Sequence, residues 1–385
     1  MKVLHVIDHM GLGGEQRVVQ DLCLMHAPDV APAAWSLRSH EVPGVSDSMA
    51  GGGIPYRTFG MSPGNPGAAL ALRRSLHQMR PDVLHLHLEY STLVGALAAL
   101  SLPEPRPVLV ASVANDPYRQ TRFHQWAGRR LARSFDLHIT HSRGIRDSVL
   151  RAYADRPRRV EVVSLGIDLR RFDRALARPE RVAEYRRGAT RIVGTMGRMV
   201  PQKAMHVLVE ATPTLLQADA GLRVLIVGDG PLRAELEAQA ERLGVTRAVR
   251  FVGYQDDVVS AYAAMDVFVL PSRDEGFGLV FLEAMAMGVP VVGTRVIGSE
   301  DAVEDGATGL LVPYADAGAL ARAVGSILDS AELAGRLRVA AGDRVRRVFS
   351  REKFAAQVES LYRELLAGRS AVRGAAPAVP LRGRG

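Results

Sequence analysis

Two carboxylates eight residues apart, Glu275 and Glu283, flank a glycine-rich turn in this sequence. An apolar run, residues 267–270, precedes the turn and is typical of a buried parallel strand, and a helical run, residues 279–287, follows it. The turn therefore lies at a helix N-terminus, where free backbone N–H groups and the helix dipole favour an anion. Because eight helical residues rise about 12 Å, we expect the two carboxylates to contact different parts of one long ligand.

Two cations follow another predicted strand, residues 191–196, and precede a predicted helix, residues 205–216. They are Arg198 and Lys203, and lysine occurs otherwise only at positions 2 and 353. A guanidinium offers a planar fork of donors and an ammonium offers a compact charge, a combination that suits a diphosphate. The residue types in these two segments therefore favour binding of a phosphate-containing ligand.

These segments resemble the motifs of the retaining glycosyltransferases of family 4, which have the two-domain GT-B fold. The matching segments are Gly197-Arg198 followed by Lys203, the Glu-x7-Glu spacing of Glu275 and Glu283, and Asp305-Gly-Ala-Thr-Gly-Leu310. The resemblance implies that Arg198 and Lys203 clamp the diphosphate of a nucleotide sugar. It also implies that Glu275 lies by the transferred sugar and supports its developing charge, while Glu283 holds the ribose.

Smaller motifs extend the resemblance to further donor contacts. The segment Val249-Arg-Phe-Val-Gly253-Tyr254 is similar to the family's Phe-x-Gly turn beneath the nucleotide base, and Gly13 and Gly14 match a loop that closes on the diphosphate and the acceptor. The remaining donor contacts implied by the resemblance lie in the turn itself: Gly276, Phe277, Gly278 and Leu279.

The sequence departs from the family pattern at the four positions given below, and it also lacks the Pro that the family has just before the last of them. Ala114 takes the position of a histidine that many relatives have near the transferred sugar, and Asp116 beside it is predicted to assist catalysis. The other departures are Leu165 for an Asn, Ala204 for a Gly and Asp301 for a Glu.

Strands alternate with helices along the chain, which predicts parallel, doubly wound sheets, and 385 residues suit two domains. We expect an α/β protein with the GT-B fold that the resemblance implies: two Rossmann-like doubly wound domains facing a cleft, with a C-terminal helix crossing back to the first domain. The predicted parts are residues 1–175 (acceptor-side domain), 176–189 (linker), 190–349 (nucleotide-sugar-binding domain), 350–367 (crossover helix) and 368–385 (disordered tail).

The net charge of +8 is concentrated in the N-terminal half, where residues 1–186 hold 25 Arg and Lys against 18 Asp and Glu. Residues 119–133 combine five arginines with Phe123 and Trp126. This pattern is typical of a basic amphipathic helix that docks on an anionic membrane, and equally of a surface helix whose apolar stripe packs on a sheet.

No segment of the sequence predicts a membrane span or a signal peptide. The longest apolar run, residues 93–102, is too short to cross a bilayer, and the N-terminus reads as a strand. A single cysteine, Cys23, excludes an internal disulfide. We therefore expect a cytoplasmic enzyme, or one held peripherally at the inner membrane face.

His85 and His87 alternate along a predicted strand and so face the same side. They fit a metal site or, more simply, polar residues at a strand end, because no third ligand is close in sequence. No Asp-x-Asp motif is evident as a bridge between metal and nucleotide, so we expect metal-independent use of the donor. No cofactor besides the donor substrate and no nucleic-acid partner is expected.

The resemblance thus implies a hexosyltransferase, and we expect it to move a sugar from a UDP- or GDP-sugar to a hydroxyl of a small molecule, natural product or glycan. The alternatives are a membrane-associated enzyme with a lipid-linked acceptor, a GT-B epimerase or hydrolase of nucleotide sugars, and a nucleotide-sugar-binding protein without turnover. A nicotinamide oxidoreductase is disfavoured, since the glycines after the first strand lack the full G-x-G-x-x-G spacing.

Overall fold

The computed structural model describes residues 1–11, 13–39, 45–61, 66–154 and 156–374. These residues form two compact units. The first unit contains Met1–Thr140, Ser148–Val163 and the described residues from Ala355 onward; the second contains His141–Asp147 and Ser164–Phe354.

A parallel sheet of seven strands forms the centre of the first unit, in the order β3-β2-β1-β4-β5-β6-β7. Its central strands β1, β4 and β5 are buried along almost their whole length, because helices cover both faces of such a sheet. The core includes Leu4, Val6, Leu84 and Leu109, all buried. The strands are β1 (Lys2–Ile7), β2 (Ala31–Ser36), β3 (Tyr56–Thr58), β4 (Val83–His87), β5 (Val108–Val113), β6 (Leu137–Thr140) and β7 (Val160–Val162).

Helices connect these strands in the order that the alternating pattern predicts. They are α1 (Gly14–Leu24), α2 (Val45–Gly51), α3 (Pro66–Met79), α4 (Glu89–Leu100), α5 (Arg122–Leu131) and α6 (Arg143–Ala152). The register of β1 against β4 sets His5 beside His85, and that of β4 against β5 sets His87 beside Ser112.

A second parallel sheet, of six strands in the order β10-β9-β8-β11-β12-β13, forms the centre of the second unit. Its strands are β8 (Ile192–Met196), β9 (Arg223–Val227), β10 (Val249–Gly253), β11 (Val267–Leu270), β12 (Val291–Thr294) and β13 (Leu310–Val312). The chain leaves β8 toward β9 on one side and returns to β11 on the other, so the strand order reverses between β8 and β11. Ligands of open α/β sheets bind at such a reversal, outside the carboxyl ends of the strands.

The remaining helices belong to the second unit, except that α15 belongs to the first unit from Ala355 onward. They are α7 (Pro179–Arg186), α8 (His206–Ala218), α9 (Arg233–Arg242), α10 (Val258–Ala264), α11 (Leu279–Ala286), α12 (Ser299–Ala302), α13 (Ala317–Asp329), α14 (Ala331–Val348) and α15 (Arg351–Gly374). Two parallel α/β sheets are what the alternating sequence pattern predicted.

The segment predicted as a linker, residues 176–189, contains α7 and belongs to the second unit. The hydroxyl of the buried Tyr185 donates to Gln255 Oε1 over 2.9 Å, and Arg178 pairs with Asp257. These are polar contacts between residues far apart in sequence, so no apolar periodicity marked the helix. The second piece of the first unit, Ser148–Val163, correspondingly ends earlier than the predicted boundary at residue 175.

The last helix, α15, continues to Gly374, where a disordered tail was predicted to begin at residue 368. The Arg369 guanidinium donates to the Arg106 carbonyl and to the Asp136 carboxylate, which anchors the added turn to the first unit. Residues 368–374 are therefore helical, and the prediction for residues 375–385 lies outside the described part of the chain.

Candidate active site

The turn between β11 and α11 carries the first of the two predicted carboxylates. Its strand ends in buried Leu270, and Gly278 precedes α11 with a φ of 88°, the left-handed region that favours glycine. A Cβ added at Gly278 would lie 2.8 Å from the Phe281 ring. No side chain caps the first turn of α11, so the helix offers its first N–H groups to a ligand, as an anion site requires.

Glu275 is held in this turn by two donors. Its Oε1 accepts hydrogen bonds from Ser272 Oγ and from Lys203 Nζ, both over 2.6 Å. The Glu275 side chain is only 6% exposed and that of Lys203 is 19% exposed. The predicted sugar-side carboxylate and the predicted phosphate-side lysine are therefore direct partners, which their sequence separation did not indicate.

The loop that carries Lys203 is tied to the Glu275 turn through Gln202. The Gln202 carbonyl accepts from the Arg273 N–H over 2.8 Å, and its side-chain amide donates to the Asp274 carbonyl over 3.2 Å. Ala204 follows with a φ of 45°, a left-handed conformation in which the family's glycine would be less strained. The adjacency of β8 and β11 brings these two loops together.

Arg198 lies at the start of the same loop and is exposed. Among the described residues it forms no ion pair, so its guanidinium is available to an anion from solvent. The structure thus brings Lys203 to Glu275 and leaves Arg198 outside that contact.

Glu283 lies inside α11 and is 9% exposed. The hydroxyl of Tyr262, a fully buried residue of α10, donates to Glu283 Oε2 over 2.7 Å. A buried carboxylate needs such donors, because an unpaired charge away from water is costly. The second predicted carboxylate therefore lies apart from the first, inside α11, where the Tyr262 hydroxyl already donates a hydrogen bond to it.

Glycines allow the neighbouring loops to touch backbone to backbone. The Gly228 N–H donates to the Gly253 carbonyl over 2.8 Å, and a Cβ at Gly228 would lie 2.0 Å from the Gly197 carbonyl oxygen. Gly298, with a φ of 87°, packs so closely that its Cβ would lie 2.4 Å from the Glu275 carbonyl oxygen. Tyr254 follows Gly253 and is largely exposed, as expected of a residue at the open edge of a binding site.

Residues 13–171 match the family model described as Glycosyltransferase Family 4, and residues 190–330 match that described as Glycosyl transferases group 1. The D-inositol 3-phosphate glycosyltransferase of Corynebacterium urealyticum is 33% identical over 321 residues, which is 78% of this chain and 75% of the relative. The chain belongs to this glycosyltransferase family.

Other relatives of this glycosyltransferase include the glycogen synthase of Mycobacterium tuberculosis, 31% identical over 312 residues, 78% of this chain and 72% of the relative. Among solved structures, HepE from Anabaena in complex with UDP-glucose matches with a TM-score of 0.82 and 22% identity over 94% of this chain and 100% of HepE. Sucrose-phosphate synthase from Thermosynechococcus elongatus matches with a TM-score of 0.80 and 22% identity, covering 96% and 100% of the two chains. The predicted family, GT-B fold and hexosyltransferase class are confirmed.

In the first unit, the predicted glycine loop leads into α1, which begins at Gly14. Gly13 and Gly14 are exposed, and Leu12 lies outside the described residues. The next residue, Glu15, is buried and its Oε1 lies 2.8 Å from His87 Nδ1. This contact attaches the start of α1 to β4.

His5, His85 and His87 lie together, with one nitrogen of each within 4.8 Å of the others. The ring nitrogens of His85 bond the Tyr362 hydroxyl at 2.6 Å and Ser112 Oγ at 2.9 Å. His87 bonds Glu15 through Nδ1 and His5 through Nε2. Because both nitrogens of His85 and of His87 are engaged by protein groups, this cluster forms a hydrogen-bond network joining β1, β4 and α15.

Asp116, the predicted catalytic helper, accepts hydrogen bonds from the Tyr118 N–H over 3.0 Å and from the Ser148 hydroxyl. These contacts cap the short 3₁₀ turn at Pro117–Arg119. A role in catalysis stays a prediction. Ala114, two residues before Asp116, directly follows β5.

Sequence reasoning did not identify Tyr262, Ser272 and Gln202 as parts of the site. Tyr262 is a lone aromatic residue in a short helix of small residues, which is a weak signal for a buried hydroxyl. Ser272 and Gln202 are within three residues of predicted site residues, so proximity to Glu275 and Lys203 was the available signal.

Proposed function

We propose that this glycosyltransferase transfers a hexose from a nucleoside diphosphate sugar to an acceptor hydroxyl with retention at the anomeric carbon. The observation that carries the proposal is the Lys203–Glu275–Ser272 cluster at the N-terminus of α11, with Glu283 farther along the same helix. One extended ligand with a diphosphate, a sugar and a ribose would satisfy every group in this arrangement.

Arg198, Lys203 and the N–H groups of Gly276 to Leu279 stabilise the leaving diphosphate as the bond to the anomeric carbon breaks. Glu275 supports sugar hydroxyls and the positive charge that develops on the sugar, and Glu283 holds the ribose. The acceptor oxygen attacks the face from which the diphosphate departs and gives its proton to the leaving phosphate. No group in this scheme requires a divalent metal or a further cofactor.

The donor and the acceptor are best identified by direct screening. HepE is described in complex with UDP and with UDP-glucose, so UDP-glucose is the first donor to test, with GDP-sugars as comparison. The curated relatives named for D-inositol 3-phosphate make that compound one acceptor to include beside unphosphorylated sugars and cyclitols. Calorimetry identifies the bound donor, and mass spectrometry with proton NMR of the product reports transfer and anomeric configuration.

Product analysis with and without acceptor separates the transferase from its alternatives. A sugar released as free hexose at the same rate regardless of acceptor indicates a hydrolase, and an epimerised nucleotide sugar indicates an epimerase. Donor binding without any product indicates a binding protein. An inverted anomeric configuration in the product would contradict the retaining mechanism.

A second candidate is a cytoplasmic, peripherally bound enzyme that acts on a lipid-linked acceptor. The aromatic residues Tyr118, Phe123 and Trp126 are each more than half exposed beside the arginines of α5. The rings of Phe123 and Trp126 stack with centroids 6.2 Å apart, and the Arg130 guanidinium lies 5.7 Å from the Trp126 ring. Exposed aromatic and basic side chains on one helix suit a membrane interface. Within the described residues, no helix has both the length and the hydropathy needed to span a bilayer.

A further inference from the structure

A cavity of about 440 Å³ opens in the first unit at the amino ends of β4 and β5. Its wall includes Asp82 and Pro107, the residues just before these two strands, and Leu366 of α15. The glycine loop after β1 lies at the opposite end of the same parallel sheet. Because pockets of roughly 300–1,000 Å³ hold small ligands, this cavity has the size of a further small-molecule site, separate from that loop.

The cavity wall combines apolar side chains with a backbone that is poor in donors. Leu76 and Leu102 supply buried apolar surface. Proline has no backbone N–H to donate, and four prolines line the cavity: Pro81, Pro103, Pro105 and Pro107. A ligand with an apolar body fits such a wall, and the donors to its polar group must come mainly from side chains.

Three arginines and two carboxylates also line the cavity, and four of these five groups have partners in the protein. The Asp82 carboxylate accepts a hydrogen bond from the Lys2 N–H over 2.7 Å. The Glu104 carboxylate accepts from the Arg106 N–H over 3.0 Å and lies 3.4 Å from Arg106 Nε. Arg369 donates to the Arg106 carbonyl over 2.9 Å. The remaining group is an arginine at the end of α3.

Arg80 is that remaining group. It is exposed, and within the described ranges its guanidinium forms neither an ion pair nor a hydrogen bond. Its N–H donates to the Leu76 carbonyl over 3.0 Å, and its φ is 48°, the left-handed conformation in which glycine usually ends a helix. A side chain at such a position is strained, and here it places an unpaired cation on the cavity wall.

We propose that this cavity binds a small organic monoanion, a carboxylate on an apolar body, and that Arg80 pairs with the carboxylate. Three arginines against two carboxylates leave the lining one positive charge in excess while His77 is neutral, and one carboxylate balances it. A guanidinium binds a carboxylate through two parallel N–H bonds, and the leucines and prolines of the wall cover the apolar body. This site lies outside the proposed donor and acceptor contacts and does not depend on the proposed function.

The test compares an anion with a neutral molecule of the same shape, cinnamate with cinnamamide. Ligand-observed NMR titrations of the full chain, with uridine diphosphate in excess to occupy the proposed donor site, measure both affinities. We expect cinnamate to bind about tenfold more tightly than the amide. Arg80→Gly removes the guanidinium at a backbone position that glycine favours, so the chain should stay folded and lose this preference. The matched control is Arg74→Gln, exposed on α3 but outside the cavity lining, and it should keep the preference.

A charge reversal gives a second, independent readout. Arg80→Glu leaves the lining with an excess of negative charge, so this variant should bind cinnamylamine more tightly than cinnamate, the reverse of the wild-type order. Several results would overturn the inference: no binding of cinnamate by the wild type, equal binding of cinnamate and cinnamamide, or an unchanged preference in Arg80→Gly. A loss of preference in Arg74→Gln as large as that in Arg80→Gly would also overturn it, because the attraction would then come from the basic surface in general.

Discussion

Lys203 and Glu275 form an ion pair at the edge of the second sheet. A substitution of Lys203 is therefore expected to affect stability as well as donor binding. Lys203→Ala takes away a phosphate contact and also leaves a buried carboxylate with one donor fewer. We expect turnover to fall about a hundredfold and the free energy of unfolding to fall by about 3 kcal/mol. Steady-state kinetics and urea unfolding measure the two effects.

The double variant Lys203→Ala with Glu275→Gln separates these effects. It removes the unpaired charge, so most of the lost stability should return while turnover stays low. Turnover of Lys203→Ala close to wild type would show that Lys203 serves only to hold Glu275.

Glu275 and Glu283 are predicted to contact different parts of the donor, and nucleoside diphosphate binding distinguishes them. Glu283→Gln should weaken the binding of uridine diphosphate, because the proposed ribose contact is lost. Glu275→Gln should leave that binding nearly unchanged and lower turnover. Calorimetry and kinetics on both variants test this, and the opposite pattern would reverse the assignment of the two roles.

At the scale of the element, the Glu275 turn depends on close packing by Gly298. Gly298→Ala places a methyl group 2.4 Å from the Glu275 carbonyl oxygen and must displace the backbone of the turn. Gly306→Ala is a matched control, because Gly306 also has a positive φ, 75°, but no atom within 4 Å of the added Cβ. Both variants should lose about 1 kcal/mol from backbone strain.

Only Gly298→Ala should lower turnover, by about tenfold or more, since a misplacement of about 1 Å can reduce rates a hundredfold. Thermal unfolding and initial rates of the two variants provide the comparison. An equal loss of turnover in Gly306→Ala would indicate a general effect of strain rather than a displaced Glu275.

The proposed membrane attachment depends on the exposed surface of α5. Changing Arg129, Arg130 and Arg133 to Gln removes three charges, each worth about 1 kcal/mol of attraction to an anionic surface at low salt. Sedimentation with phosphatidylserine vesicles should show wild-type binding that weakens with salt, as screening requires, and little binding of the triple variant. Arg346→Gln with Arg347→Gln, on exposed positions of α14, should bind as the wild type does.

Donor affinity should be the same in all of these α5 and α14 variants, because the changed side chains are exposed and none of them is a proposed donor contact. If the wild type does not sediment with anionic vesicles at low salt, the lipid-linked acceptor is excluded and the small-molecule acceptor remains.

At the scale of the whole molecule, buried histidines make the first unit sensitive to acid. Burial lowers the pKa of His87 to about 3 and that of His138 to about 4, against about 6.5 in the unfolded chain. The unfolded state therefore binds more protons between these values, so stability is complete above about pH 6.5 and falls as the pH decreases toward 4 and 3. The lowered pKa of each of these two histidines should reduce the free energy of unfolding by about 2 kcal/mol between pH 7 and pH 5.

Tryptophan fluorescence reports this unit selectively, because both tryptophans, Trp35 and Trp126, belong to it. Urea midpoints at pH 7, 6 and 5 should decrease steadily. His138→Leu removes one of the buried titrating histidines, which also include His5 and His87. The decrease in the free energy of unfolding should then be smaller by about 2 kcal/mol over the same range. An unchanged pH dependence in His138→Leu would show that His138 has the same pKa in the folded and in the unfolded chain.

Local sequence patterns predicted most of the helices and strands. Where a helix was missed or predicted too short, the reason is physical. The strand over residues 267–270 was predicted at its observed bounds, because a continuous apolar run marks a strand that is buried on both faces. Helix α7 was missed, since its contacts are polar and reach Gln255 and Asp257. Helix α15 was predicted too short, since Arg369 anchors its last turns through Asp136.

The sequence by itself determined which chemical groups are present and which loops carry them: two carboxylates around a glycine turn, a lysine and an arginine after a strand, and the alternation that produces parallel sheets. The tertiary structure decided which of these groups are partners. Lys203 meets Glu275, and Tyr262 meets Glu283, because the second sheet places β8 beside β11 and packs α10 within reach of α11. Strand order depends on the packing of the whole sheet rather than on any local period, so contacts across 72 or 21 residues become visible only in the folded chain.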